Sequence, residues 1–478
     1  MSNIFISSLI FAIWAVVLFF EKKLGISVFL FVAPFTYYII YLLEKNEKIK
    51  NKKAKLLYIP IVLLSVTYFL YDNFLKSYNL FAILVLITIM FIMMFDEKLT
   101  MSKIVARIID FFILPIANFS NSIKDAITEF FKITKKSNVE VSKEKLKILL
   151  KAIVCTVSLS LIILCLLATA DYWFDQLFIN FFNLFSELKI VDILVRCIIV
   201  LVCFIYFIGY FKNILLVQDE EEIKALNECE KKETLTIKMI LASLNFIYLL
   251  FSIVQIKEFI DFNENSNYAN FAREGFFQLM AVSFINLITI LVAKNSENKG
   301  EKNIYLKSMT LIMIFFTFTL IVSAAFRMNL YENAYGYTHL RFLVYFALLT
   351  EGILLVPTIL YILNKEMDLF KVYFVIITIM YVGLNFVNVD RFIARKNIDR
   401  YYDIGKFDFL YLKEETGMDA IPEIIRLMNA DNKETKKQVS GYVKSVYNEL
   451  KDEETSIFEF NYSKYNAEKC IEKQYENE

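Results

Sequence analysis

Glycine and proline are scarce, at 10 and 5 in 478 residues, and there is a single histidine, His339. One histidine excludes any multi-histidine metal centre, and no HExxH helix is present. The six cysteines form no CxxC pair, and four of them sit inside apolar runs, which points to small buried hydrophobes rather than a zinc site or a disulfide framework. A formal charge of only +1 gives no footprint for nucleic acid. No Walker loop, GxSxG elbow or kinase signature appears, so ATP-driven transport and classical hydrolysis have no carrier in these residues. Nothing implies a cofactor.

What is abundant is apolar. Hydrophobic residues make up 57% of the chain, with 47 Phe and 28 Tyr, and mean hydropathy is +0.50. Charged residues are still 22%, so charge and hydrophobicity are segregated along the sequence. A helix needs roughly 20 apolar residues to cross a hydrocarbon core of about 30 Å. Runs of about that length fall at 3–20, 24–43, 56–75, 78–95, 148–170, 190–216, 236–258, 276–293, 305–327, 341–363 and 370–388. They are continuous rather than alternating, which excludes a transmembrane barrel. The run at the N-terminus lacks a basic flank and is too long for a signal-peptide core, so it reads as the first span. The expected fold is all-α: a polytopic membrane bundle of about eleven helices with a small helical C-terminal tail. Its regions would be helices 1–4 over 1–95, a basic amphipathic connection over 96–147, helices 5–11 over 148–388, and a polar tail over 389–478.

Alternate connections are unequal in Lys and Arg. With the N-terminus cytoplasmic, the inner ones (44–55, 96–151, 212–238, 294–307 and 364–371) hold roughly three times as many as the outer ones. Eleven spans then place the tail outside a plasma membrane. Arg391, Arg395, Lys396 and Arg400, just past the last span, argue the other way, and one miscounted span would return the tail to the cytoplasm. Residues 101–133 carry an apolar stripe (Ile104, Val105, Ile108, Phe112, Ile116, Phe119, Ile123, Ile127, Phe130) that reads as a helix lying in the inner interface. In the tail, Pro422 suits the first turn of a helix, and Val439, Tyr442, Val443, Val446, Tyr447 and Leu450 follow helical spacing. Residues after Glu453 are expected to fray.

Several motifs resemble a bacterial family of multi-pass membrane proteins catalogued as a domain of unknown function (4153/4173). They are Ala170-Asp171 with Phe174; Tyr268 with Ala272-Arg273-Glu274-Gly275-Phe276-Phe277; Arg327-Met328-Asn329-Leu330-Tyr331, then Tyr335-Gly336-Tyr337-Thr338 and Arg341. The last group is Asn388-Val389-Asp390, Ile393-Ala394-Arg395, Asn397-Ile398, Arg400-Tyr401, Asp408, Tyr411-Leu412 and Asp419-Ala420-Ile421-Pro422. The resemblance covers roughly 165–425. It implies many membrane helices and no particular activity.

The topology places all these motifs at the outer surface. The candidate polar site there is Asp171, Arg273, Glu274, Arg327, Tyr331, Tyr335, Arg341, Asp390, Arg395, Asn397 and Arg400. Glu274 or Asp390 would pair with arginines, and an anionic ligand or a protein partner would be held between them. The alternative is that these groups merely anchor helix ends in headgroups. The loop 328–340 would join two antiparallel helices, bringing Arg327 and Arg341 close together. Glu351, ten residues into its span, is a second candidate, either as a proton or cation relay or as a neutral acid bonded to Asn385, Asn245 or Gln278. Asp192 and Arg196, four apart, would neutralise each other. His339 is a weak candidate for a general base. Three classes stay open: a non-enzymatic sensor or binder at the outer face, a secondary transporter using Glu351, and a membrane enzyme acting on a lipid-linked substrate.

Overall fold

The computed structural model of the protein describes residues 2–95, 104, 107–117, 119–134, 190–216, 234–260, 276–295, 304–363, 367–405, 408–452 and 456–476. Among them every regular element is helical. The expected span 148–170 lies outside the described residues. Among the described residues, seven helical segments are long and apolar enough to cross a membrane: Ile26–Lys45, Lys52–Leu70, Lys76–Met94, Ile193–Leu215, Ile304–Tyr335, His339–Leu363 and Leu369–Phe386. Shorter apolar helices cover Ile4–Phe19, Lys238–Ile253 and Gln278–Ala293. Their outward faces carry Ile, Leu and Phe with nothing over them, for instance Phe246, Ile247, Leu250 and Ile253. A water-soluble surface does not present apolar faces this continuous, whereas lipid tails match them. The chain is an integral membrane protein with an all-helical fold.

Two compact units divide it. The first comprises 1–66, 79–220 and 455–460. Here α1 (Ser2–Phe19) and α2 (Ile26–Lys45) pack with α6 (Ile190–Leu216) through an aromatic core. Phe11 meets Phe31, Phe35, Phe207 and Phe211 with ring centroids 5.3–6.2 Å apart. The neighbouring helices are α3 (Tyr58–Leu70), α4 (Lys76–Met94) and α5 (Phe119–Thr134). α5 does form, but the side it buries is not the apolar stripe. Ser122 and Ala126 face inward, whereas Ile123 and Ile127 are half-buried and Ile116 is exposed. Small side chains let α6 approach closely, and Lys212 of α6 pairs with Asp125. Arg196 reaches Glu21, 3.2 Å away; the side chain of Asp192 lies outside the described residues. Cys197 is exposed and Cys203 half-buried, so these two thiols sit on the apolar surface of α6 rather than in the core.

The second unit comprises 67–78, 221–454 and 461–478. Its membrane part is α7 (Thr234–Ile260), α8 (Phe276–Asn295), α9 (Ile304–Tyr335), α10 (His339–Leu363) and α11 (Leu369–Phe386), around a core that includes Met313, Leu320, Ala324, Val344 and Leu348. α9 has 32 residues and so measures about 48 Å, well over the hydrocarbon thickness. The expected loop 328–340 is therefore mostly helix, and only 336–338 turn. Arg327, Asn329 and Glu332 end the apolar run without breaking the backbone ladder.

Beyond α11 the chain builds a second core. α12 (Val389–Ile404) starts at Asn388, whose side chain accepts from the Arg391 N–H at 3.0 Å. α13 (Phe409–Glu415) starts the same way at Asp408. Turns at 418–429 follow, with Pro422 in the first turn of a short helix. α14 (Lys433–Asp452) buries Val439, Val443 and Val446. The expected fraying after Glu453 does not occur: Tyr462–Glu476 forms α15, which buries Ala467 and Ile471 in the same core. Those two residues, four apart, form too narrow a stripe to stand out in a polar sequence. Leu75 and Leu384 join this core, fastening the C-terminal helices to the end of α11.

Candidate functional site

The turn between α9 and α10 is gripped by α12 and α13. At Gly336 the backbone takes φ +86°, and a Cβ there would stand 2.6 Å from Asn397 Oδ1, so glycine is required on both counts. Asn397 reads both backbone groups of the next residue: its Oδ1 accepts from Tyr337 N at 2.9 Å, and its Nδ2 donates to Tyr337 O at 2.8 Å. Arg400, one turn on, donates to the carbonyls of Asn333 (3.2 Å) and Ala334 (2.6 Å) at the C-terminal end of α9. These carbonyls have no partner within the helix, and a guanidinium suits both the hydrogen bonds and the negative end of the dipole. Arg341 comes from α10, buried to 8% exposure; it donates to the Gly336 carbonyl and lies 4.2 Å over the Tyr331 ring.

His339 is the centre of the second layer. Its Nε2 lies 2.9 Å from Asp390 Oδ1, and its Nδ1 lies 2.7 Å from the Tyr411 hydroxyl. The backbone N–H of His339 donates to that same hydroxyl at 2.8 Å. The Phe74 ring stands against the imidazole, centroids 4.5 Å apart. Asp390 is fully buried, and its Oδ2 accepts from Gly417 N at 2.7 Å. Gly417 is obligatory as well, because a Cβ there would meet the Asp72 carbonyl at 1.9 Å. One tautomer satisfies every atom: Tyr411 donates to Nδ1, and Nε2–H donates to Asp390 Oδ1. Burial pushes the Tyr411 phenol up to about 12, so it stays a donor at neutral pH.

Asp419 completes the cluster. Its carboxylate accepts from Asp72 N (3.0 Å), Asn388 Nδ2 (3.1 Å) and Ser463 Oγ (2.6 Å). Burial, reinforced by Asp390, nevertheless pushes its carboxyl up to about 6 against those hydrogen bonds.

Of the residues singled out in the sequence, Tyr331, Tyr335, Arg341, Asp390, Asn397 and Arg400 meet here, from the α9–α10 and α11–α12 connections. Asp171, Arg273 and Glu274 lie outside the described residues. Arg327 sits on α9, one turn before Tyr331. Arg395 points away; it is 68% exposed and 4.0 Å from Asp399. Asp390 pairs with the histidine, not with an arginine, because it lies in the first turn of α12, next to the start of α10. Arg341 and Arg400 are held by backbone carbonyls, so the cluster reads backbone rather than presenting bare cations. Sequence reasoning gave His339 little weight and did not pair it with Tyr411. Both Tyr411 and Asp419 stood within the motifs quoted above, which was the available signal. Ser463, far along the tail, carried none.

Around Glu351, halfway along α10, the surroundings differ. Glu351 Oε2 lies 2.6 Å from Ser283 Oγ of α8. One turn on, Asn286 accepts from the Tyr248 hydroxyl (2.6 Å) and donates to Thr317 Oγ1 (3.2 Å), tying α7, α8 and α9 together. None of the expected amides partners Glu351: Asn385 donates to Tyr381 O and Asn245 to Met309 O, while Gln278 is exposed.

Among the described residues no group of three or more metal-ligating side chains comes together. A family model described as Domain of unknown function (DUF4153) matches residues 58–427, more than half of the chain. No curated protein and no solved structure matches.

Proposed function

We propose, for this chain, which belongs to the family of the domain of unknown function DUF4153, the role of a non-enzymatic binding or sensing protein of the plasma membrane. Its C-terminal helices, α12 to α15, are the receiving module, and they stand at the extracytoplasmic face. The clasp on residues 333–341 passes a change in that module to α9 and α10. One observation carries this reading. The groups an enzyme would use are engaged internally at every polar atom: both nitrogens of His339, both oxygens of Asp390 and the hydroxyl of Tyr411. Bonds filled in this way suit a mechanical link between the two connections. The exposed surface of the module supplies a place for a partner. Arg391 (52% exposed) and Arg426 (42%) flank Glu423, Asp399 joins Arg426, and Arg395 stands beside them. Three guanidiniums over two carboxylates suit an anionic group on a ligand or a protein partner.

The test is the side of the membrane. A cysteine replacing exposed Lys437 on α14, in a background without other cysteines, should react with an impermeant maleimide in intact cells. Labelling only after permeabilisation would remove the outer-face reading.

A further inference from the structure

We infer that the junction between the C-terminal module and the α9–α10 turn is a proton-operated clasp, in which Asp419 takes up a proton as the medium acidifies and the module closes more firmly. The inference rests on the binding reading above and names the stimulus.

Asp419 and Asp390 are both buried, at 5% and 0% exposure, and Gly417 separates them: its N–H serves Asp390, and Asp419 lies two residues on. Asp419 is also where three segments meet. Asn388 opens α12, Asp72 belongs to the 67–78 segment, and Ser463 opens α15. A change in its charge is thus felt by each segment that fastens the module.

Every element packed against it contributes known groups. Segment 67–78 brings Asp72, which is paired with Lys76 at 2.8 Å, and Tyr71, whose phenol burial pushes up with a further push from Asp419. α12 brings Asp390, and α10 brings His339, with Arg341 beyond it. α13 brings Tyr411, with Glu415 behind it. α15 faces it with the Ser463 hydroxyl. Of these cations, Lys76 is bonded to Asp72 and Arg341 to the Gly336 carbonyl. The ionised Asp419 therefore faces a second carboxylate, Asp390, in a buried site.

The sign follows. A carboxyl raised in the folded state favours folding when protonated. Its contribution is fully present below the ordinary carboxylate value and is lost as pH rises through about 6.

Cys470 provides a local probe. It lies on α15, half-buried beside this core. Its alkylation in the full-length protein in detergent micelles would be mapped by mass spectrometry and divided by the rate in denatured chain at the same pH, which cancels the thiol's own ionisation. Protection should be about tenfold greater at pH 5 than at pH 7.5, the rise setting in as pH falls through about 6. Asp419→Asn should flatten that profile. Ser463→Ala, which removes a hydrogen bond favouring the charged form, should move that onset to higher pH, so the test stands even if Asp419→Asn folds poorly. A flat wild-type profile, or one unmoved by both substitutions, overturns the clasp. Failure is separable from failure of the binding reading. Labelling at position 437 only after permeabilisation with an intact pH profile would sink the outer-face reading alone; outer labelling with a flat profile would sink the proton clasp alone.

Discussion

The two polar networks of the second unit bury carboxylates in opposite ways. Glu351 sits halfway along α10 with a single short contact, to a serine on the next helix. Asp390 sits in the first turn of α12 with both oxygens bonded, inside a network that also reads the backbone of 333–337. Between apolar helices there is no water to compete for hydrogen bonds, so a few side-chain pairs suffice to set which helices touch. At the junction the chain changes direction and leaves helix-end carbonyls and turn N–H groups open, and each needs a side-chain partner. Single contacts in the membrane therefore tune packing, whereas the junction fails as a unit.

The largest effect should come from Asp390→Ala. It strips His339 Nε2 and Gly417 N–H of their acceptor at a fully buried position, and the second unit should lose about 3–5 kcal/mol. Thermal unfolding in detergent would measure it; a loss under about 1 kcal/mol would make the two networks equivalent. Gly336→Ala comes next, at about 2 kcal/mol, from the positive φ and the approach of Asn397. Asn397→Ala should relieve part of that penalty in the double variant, which a cycle would detect. Glu351→Gln should be the mildest, under about 1 kcal/mol, since an amide keeps a bond to Ser283. Glu351→Lys is the contrast, since an unpaired ammonium there costs on the order of 2.5–3.5 kcal/mol and should cut membrane abundance. Loss of an ion flux in Glu351→Gln would instead favour a transporter.

What the sequence made legible follows the same division. Continuous apolar runs announce helices such as α6 and α10, because a membrane span has one requirement, length. Hydropathy could not show that α9 continues to Tyr335, because the backbone ladder runs on through Arg327, Asn329 and Glu332 after the apolar run has ended. The quoted motifs drew attention to Arg341, Asp390, Asn397 and Arg400, yet apart from His339 beside Asp390 their partners are backbone carbonyls and N–H groups, which no residue pattern displays. Arg395 matched the same pattern and faces outward. Ser283 and Ser463 hold the two acids Glu351 and Asp419, and nothing distinguishes either serine from its neighbours until the helices are assembled.

The central claim is that the two connections hold each other rather than anchoring separately in headgroups. A double-mutant cycle between His339→Ala and Asp390→Asn in the full-length protein measures this, read as unfolding free energy. A shared bond predicts that the double variant costs at least about 1 kcal/mol less than the sum of the singles. Additivity within about 0.3 kcal/mol would contradict it and return these residues to separate anchoring at the membrane surface.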